Sequence, residues 1–88
     1  MKQISVITEV EGEGLEALLE ENVLLFCMNY IYTGKMVGVN SVFVKLEGAK
    51  IVYETGSFSD KNYTDAQNLP TGEWYVQISA IESYGLGK

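Results

Sequence analysis

Apolar and polar residues alternate along most of this chain, as they do in β-strands that have one buried face. The opening residues 3–11 show the pattern first, and one face of the strand that they predict holds Ile4, Val6, Thr8 and Val10. Gly12 and Gly14 follow at once. Because glycine clusters mark turns, we expect this N-terminal strand to end there.

The stretch LEALLEEN, residues 15–22, departs from the alternation. Leu15, Leu18 and Leu19 have the i, i+3, i+4 spacing of one helix face, and this spacing predicts two turns of amphipathic helix that end at Asn22. A helix this short depends on tertiary packing, because few hydrogen bonds offset the cost of nucleating it.

From residue 23 onward the pattern is again that of strands. We predict strands at residues 23–29, 30–39, 42–48 and 50–55, and closing strands within residues 73–85. The polar residues 56–72 form a variable loop that is long for a single small domain of residues 1–88. A functional lid, a short helix around DAQNL and a mobile segment are the alternatives for this loop.

Two glycines, Gly34 and Gly38, lie inside the strand-like run YIYTGKMVGVNSVFVKLEG. Glycine weakens a strand interior unless a bend needs it, so we expect the second strand to curve at both positions. The run resembles the first signature segment of the Sm-like family, and of its bacterial branch, the Hfq RNA chaperones. The resemblance covers residues 15–83 apart from the variable loop. It implies a mainly β fold, a small antiparallel barrel of five strongly bent strands with a short helix, here with the extra N-terminal strand.

The chain departs from this family where RNA is bound. In the Hfq branch a Lys and a His near the end of the fourth strand contact RNA. The matching positions here hold Ile78 and Ser79, or Glu54 and Thr55 if residues 50–55 are that strand. Asn40 alone keeps the character that the family has at its site. The resemblance therefore implies an inherited scaffold without its RNA-binding residues.

Acidic residues outnumber basic ones: 12 Asp and Glu stand against six Lys, with no Arg and no His, and the formal charge is −6. Nucleic-acid binders have the opposite balance, because phosphate neutralisation supplies most of their affinity. A domain of this size buries only roughly 60–65% of its unfolded surface, so self-association would stabilise it. We expect a homo-oligomer, and we do not expect nucleic acid as a partner.

The residue inventory is poor in catalytic groups. Without His, a Ser–His or Cys–His pair cannot form, and no dinucleotide or phosphate-loop motif is present. We expect no enzymatic activity, no cofactor and no metal site. Cys27 is the only cysteine and is interpreted as a small buried hydrophobe in a reducing, cytoplasmic setting, that of a bacterium or of an infected host cell. The longest apolar run, residues 23–28, is too short to span a bilayer, so we expect no membrane partner.

Two groups of residues are candidate contact surfaces. Glutamates near the N-terminus predict an acidic surface that faces a basic partner: Glu9, Glu11, Glu13, Glu16, Glu20 and Glu21. A solvated edge that discourages strand addition is the alternative for them. Four aromatic residues and one amide predict a ligand or subunit interface: Tyr30, Tyr32, Asn40, Trp74 and Tyr75. Ordinary barrel core is the alternative for the aromatic residues.

Two classes of function fit the sequence. The first is a non-enzymatic binding protein, an oligomer that binds the basic surface of another protein or holds a small nucleotide-like ligand between subunits. Its size and acidity resemble those of short phage-encoded accessory proteins that inhibit host defence. This analogy depends on size and charge alone and not on any binding site. The second is an RNA-binding ring of the Sm-like type, which requires Lys35, Lys45 and Lys50 to cluster after folding.

Overall fold

The alternating pattern folds into antiparallel strands. The computed structural model describes residues 12–88, which form six strands and two short 3₁₀ helices. The strands are β1 (Asn22–Cys27), β2 (Ile31–Val39), β3 (Phe43–Glu54), β4 (Asp65–Asn68), β5 (Glu73–Gln77) and β6 (Ile81–Leu86). One 3₁₀ helix, Leu15–Leu18, precedes β1, and the other, Ile78–Ala80, joins β5 to β6.

The long strand β3 organises the sheet. Along one edge it pairs with β2, and along the other it pairs first with β5, through residues 43–47, and then with β4, through residues 50–54. β1 lies between β2 and β6, so the path through the sheet is β4-β3-β2-β1-β6 with β5 also beside β3. Within residues 12–88 no pairing joins β5 to β6, and the sheet is therefore not closed.

The prediction of a mainly β, antiparallel fold is confirmed, but closure of five strands into a barrel is not. A sixth strand, β4, lies inside the predicted variable loop of residues 56–72. The alternative of a short helix around DAQNL is wrong, because residues 65–68 pair with the second half of β3 instead. The extra N-terminal strand predicted for residues 3–11 lies outside the described residues.

The N-terminal helix is shorter than predicted. It is a single 3₁₀ turn, and a helix that reaches Asn22 is wrong because the following backbone pairs with β2. The Glu20 N–H donates to the Met36 carbonyl at 2.7 Å, and the Met36 N–H donates to the Glu21 carbonyl at 2.9 Å. Glu20 adopts the left-handed region, with φ 71°, which turns the chain out of the helix and into β1.

The predicted strands 42–48 and 50–55 are one continuous strand. Gly48 lies in the middle of β3 with φ 62°, a conformation that glycine adopts without steric cost. Its N–H donates to the Gly72 carbonyl at 2.8 Å, just before β5 begins. Gly48, at which the sequence predicted the end of a strand, therefore marks the point where β3 stops pairing with β5 and begins to pair with β4.

Both glycines of the second strand coincide with irregular pairing. The register between β2 and β3 shifts between Thr33 and Lys35 and again between Met36 and Gly38. A Cβ on Gly34 would lie 3.2 Å from the Ala49 Cα and from a backbone oxygen of β3, which is closer than ordinary packing. A Cβ on Gly38 would meet only a side chain, at 3.6 Å. The close approach of the two backbones therefore requires glycine at position 34 alone.

The core is a single cluster of buried side chains from four of the six strands. Its buried members are contributed by β1, β2, β3 and β5, and they are Val23, Leu25, Met36, Val44, Leu46, Ala49 and Val76. Burial of these side chains supplies the main driving force for folding. The leucines of the N-terminal 3₁₀ helix, Leu15 and Leu18, pack against the cluster from outside.

The two glycines make a matched pair for a stability measurement. We expect Gly34→Ala to lower the free energy of unfolding by about 1–3 kcal/mol, because backbone atoms of β3 must move to admit the methyl group. Gly38→Ala should change it by less than about 0.5 kcal/mol. Urea unfolding followed by tryptophan fluorescence measures both, and equal effects at the two positions would contradict the close approach.

Candidate functional site

Tyr30 and Tyr32 meet at the turn between β1 and β2. Their ring centroids lie 6.3 Å apart at an angle of 59°, and both rings line a hollow of about 170 Å³ with Met28 and Ala80. Tyr30 is 53% exposed and Met28 is 76% exposed, whereas Tyr32 packs against the core. Burial is the main reason that the pKa of the Tyr32 phenol is raised. The turn thus presents a small hollow bordered by two tyrosine rings and an exposed methionine.

Trp74 and Tyr75 lie on opposite faces of β5, because neighbouring residues in a strand alternate. Trp74 packs against the core, which is the alternative that the sequence left for it. Tyr75 is 53% exposed and meets the edge of the Phe43 ring, with centroids 5.1 Å apart at 87°. Only Tyr75 of this pair is available to a partner.

A lysine and a glutamate border the Tyr75 ring. The Lys45 ammonium lies 5.8 Å from the ring centroid and 3.1 Å from a carboxylate oxygen of Glu73. The hydrogen bond and charge of Glu73 raise the pKa of Lys45. The outer face of β3 and β5 therefore holds an aromatic patch. The positive charge of Lys45 beside it is already paired with the Glu73 carboxylate.

Asn40 has a structural part in the turn between β2 and β3. Its side-chain oxygen accepts the N–H of Val42 at 2.7 Å and that of Phe43 at 2.9 Å. These bonds form an Asx turn that sets the direction in which Phe43 enters β3. Asn40 therefore helps to position the Phe43 ring, whose edge contacts Tyr75.

Four of the five predicted interface residues form two separate groups, and the fifth, Trp74, packs against the core. Tyr30 and Tyr32 share the hollow at the β1–β2 turn, whereas Asn40 and Tyr75 belong with Phe43 on the outer face of β3 and β5. Neither Asn40 nor Tyr75 lines the hollow. A ligand bound by all five residues at once is not supported by this arrangement within one chain.

Four of the six predicted acidic residues are described, and all four are exposed: Glu13, Glu16, Glu20 and Glu21. Glu20 forms an ion pair with Lys35, with 3.3 Å between nitrogen and oxygen, so part of its charge is matched. Glu9 and Glu11 lie outside the described residues. Residues 1–21 hold six of the twelve acidic residues and one lysine, whereas residues 22–88 hold six acidic residues and five lysines. The net negative charge is thus concentrated toward the N-terminus.

Two features of the surface escaped the sequence analysis. The first is an apolar hollow of about 220 Å³ along β6, lined among others by Phe58, Tyr84 and Leu86. The exposed ring of Phe58 inside a polar segment was a signal for it. The second is a polar pocket of about 360 Å³ that includes Lys50, Lys61 and Lys88. These lysines are far apart in sequence, so no local pattern could have placed them together.

The described residues offer little for catalysis or metal binding. Among residues 12–88 no group of three or more His, Cys, Asp and Glu side chains is placed to hold a metal ion. Burial raises the pKa of the Cys27 thiol, whose sulfur lies 3.9 Å from the Leu25 carbonyl oxygen. In the same part of the chain, no helix is long and apolar enough to cross a membrane.

A scan against protein-family models, a search of the curated proteins and a search of the solved structures each found no match. The resemblance to the Sm-like family therefore stays a prediction.

The raised pKa of Cys27 leads to a test of its reactivity. Because the thiolate is the nucleophile, we expect alkylation by iodoacetamide at neutral pH to be slower than that of a free thiol. The rate should keep rising with pH beyond 9.0, the ordinary value for the pKa of the thiol, and level off at a higher pH than in the unfolded chain. Mass spectrometry of the labelled chain measures the rate, with urea-unfolded protein as the control. Labelling at neutral pH as fast as in the unfolded chain would contradict burial of the thiol.

Proposed function

We propose that this protein is a non-enzymatic, cytoplasmic interaction protein that assembles with copies of itself through its strand edges and presents its acidic surface to a basic partner. One observation carries the proposal: the sheet is open, and β5 and β6 each pair on one side only within the described residues. Unpaired edges of this kind are templates for pairing with another chain.

The hydrogen-bonding groups of β6 are placed for such pairing. The Gly87 N–H donates to the Asn22 carbonyl at 2.9 Å and so points toward β1. Because the direction alternates along a strand, the N–H groups of Tyr84 and Leu86 point the other way, toward the open edge. The edge of β6 therefore offers donors that β1 does not use.

β5 presents a second, different edge. The Ile78 N–H donates to the Val42 carbonyl at 2.9 Å, toward β3, so the N–H groups of Tyr75 and Gln77 point away from the sheet. Pairing of the β5 edge of one copy with the β6 edge of the next is a head-to-tail contact. Such contacts close into a ring when the rotation between copies permits it.

Exposed apolar side chains beside β6 would add to this contact. Leu86 is 64% exposed and Phe58 is 66% exposed, and with Tyr84 they line the hollow of about 220 Å³. Covering such a patch removes apolar surface from water and stabilises a small domain that buries little of its own. Tyr84 and Leu86 thus belong both to the patch and to the strand that carries the open edge.

An Sm-like scaffold is the fold relationship that we infer, on three supports. A short helix precedes β1, and the second strand has bulges at both glycines of the signature run. β4 and β5 pair with successive halves of β3, so they correspond to one interrupted strand, and the sheet then counts five. β1, the first described strand, pairs with β6, the last one. A barrel of consecutive strands also has its first strand beside its last.

The acidic surface is the proposed contact for another protein. Its described glutamates are exposed on and beside the N-terminal 3₁₀ helix, and the opposite charges of a basic surface would be steered toward them. The size and acidity of the chain are those of small phage accessory proteins that block host enzymes, and this source is part of the proposal. The RNA-binding ring has less support, because Lys35 and Lys45 are each paired with a carboxylate.

Self-assembly is tested by a substitution at the edge of β6. We expect the wild-type chain to form an oligomer that Leu86→Pro dissociates, because proline removes an outward N–H and leaves the bonds to β1 in place. Leu86→Ala is the control, since it removes the side chain and keeps the N–H. Native mass spectrometry reports the mass of each variant. A monomeric wild-type protein at micromolar concentration would overturn the assembly proposal.

The acidic surface is tested by charge reversal. The double variant Glu16→Lys, Glu21→Lys should bind a short polylysine peptide at least about tenfold more weakly than the wild type at low salt, with a smaller salt dependence. The control carries Glu54→Lys and Glu82→Lys, the same charge change on β3 and β6. Isothermal titration calorimetry measures both, and an equal loss in the two proteins would show that net charge alone matters.

A further inference from the structure

The described lysines divide into two groups. Lys35 and Lys45 form ion pairs with Glu20 and Glu73. For Lys50, Lys61 and Lys88, no carboxylate of residues 12–88 lies within 4.0 Å of the ammonium nitrogen. These three residues all line the polar pocket of about 360 Å³. Within residues 12–88, every lysine that has no paired carboxylate thus lines this one pocket, in a protein of formal charge −6.

The pocket lies where the pairing of β3 changes. Gly34 of β2 and Gly48 of β3 line it, together with Tyr63 from the segment that leads into β4 and Asp65 at the start of that strand. Nothing lies within 4 Å of the position that a Cβ on Gly48 would take, so this glycine leaves open space at the point where β3 exchanges its partner strands.

Lys88 holds one wall in place. Its ammonium donates to three carbonyl oxygens, those of Thr55 at 2.7 Å, Ser57 at 2.8 Å and Asn62 at 3.1 Å. It also lies 4.9 Å from the centroid of the Tyr63 ring. Because the three protons of the ammonium are used, Lys88 contributes charge and rigidity to the pocket, and it does not contact a ligand directly.

The base of the pocket is also fixed. Thr33 is buried and donates to the Val23 carbonyl at 2.8 Å, and its oxygen lies 3.4 Å from the Tyr63 hydroxyl. That hydroxyl accepts the N–H of Lys88 at 3.1 Å. A side chain on Gly87 would meet the Tyr63 hydroxyl at 3.0 Å, so glycine permits this arrangement. A wall that is ordered before binding lowers the entropic cost of binding.

The ammonium groups of Lys50 and Lys61 are the ones that remain for a ligand, since both residues are exposed at the pocket and neither has a hydrogen bond among the described residues. Lysine is a point charge that suits phosphate oxygens. The volume is in the range of sites for small organic ligands, about 300–1,000 Å³, and exceeds what a bare phosphate needs. Asp65 can accept a hydrogen bond from a hydroxyl or amino group of such a ligand.

We infer that this pocket binds a small phosphate monoester, with Lys50 and Lys61 contacting the phosphate, Lys88 holding the wall and Asp65 facing the uncharged part of the ligand. The inference rests on the pocket of a single chain and is independent of the proposed self-assembly. It also differs from the proposed contact with a protein, because that contact uses the opposite charge at the other end of the sequence.

The test is a titration of the ¹⁵N-labelled full chain with adenosine 5′-monophosphate and with inorganic phosphate, followed by NMR. We expect saturable shifts of the amides of Thr33, Gly48, Lys50 and Tyr63, and tighter binding of the nucleotide than of phosphate. Lys50→Gln and Lys61→Gln should each weaken binding about tenfold, the loss expected for a charged hydrogen bond. Asp65→Asn should strengthen it, because a negative charge leaves the pocket.

Lys45→Gln is the matched control, since it removes the same charge outside the pocket and should leave the affinity within about twofold. The spectra report whether each variant is folded. Three results would overturn the inference: no saturable shift at these amides up to about 10 mM ligand, a loss in Lys45→Gln equal to that in Lys50→Gln, or a short RNA that binds at the same lysines more than about tenfold tighter than the nucleotide.

Discussion

The structure depends on the double pairing of β3. This strand of twelve residues carries β2 along one edge and, along the other, β5 and then β4. It can do so because Gly48 turns the strand at the point of exchange and because Gly34 lets the backbone of β2 approach closely. Three of the buried core residues, Val44, Leu46 and Ala49, also come from β3. Of the remaining strands, β1 is placed by its pairing with β2, and β6 by its pairing with β1.

Two consequences of this arrangement bear on function. Within the described residues, β5 pairs only with β3 and β6 pairs only with β1, and the free edges of these two strands are where the protein is expected to meet copies of itself. The change of partner at Gly48 leaves a recess between β2, β3 and the segment before β4, and lysines from distant parts of the sequence converge there. The acidic N-terminal part and this recess with its lysines separate charge of opposite sign along the chain, and they are the two surfaces that we propose for different partners.

The sequence predicted what depends on local pattern. Alternation identified the antiparallel strands, and the glycines at positions 34 and 38 located the bulges of β2. The predicted helix was too long for two reasons. The leucine spacing of a helix is the same in a 3₁₀ turn followed by a bend. The hydrogen bonds of residues 20 and 21 with Met36, which end the helix, are tertiary contacts that the local sequence does not show. Gly48 was read as a strand end, although glycine can also turn a strand without ending it.

The candidate site was predicted less well than the fold. Tyr30 and Tyr32 are neighbours, and Tyr75 is exposed, as an interface requires. Trp74 belongs to the core, and the bonds of Asn40 are used within its own turn. Lys50, Lys61 and Lys88 meet only after folding, and their meeting depends on strand pairings between residues far apart in sequence, which no local pattern encodes.

The central claim is that the outward edges of β5 and β6 pair between copies of the chain. Amide hydrogen exchange of the full chain, measured at several protein concentrations, tests it at single residues. The account predicts that the outward amides of Tyr84, Leu86, Tyr75 and Gln77 become protected as the concentration rises, while the inward amide of Gly85 is protected at every concentration. Fast exchange of the four outward amides at all concentrations, beside a protected Gly85, would contradict it.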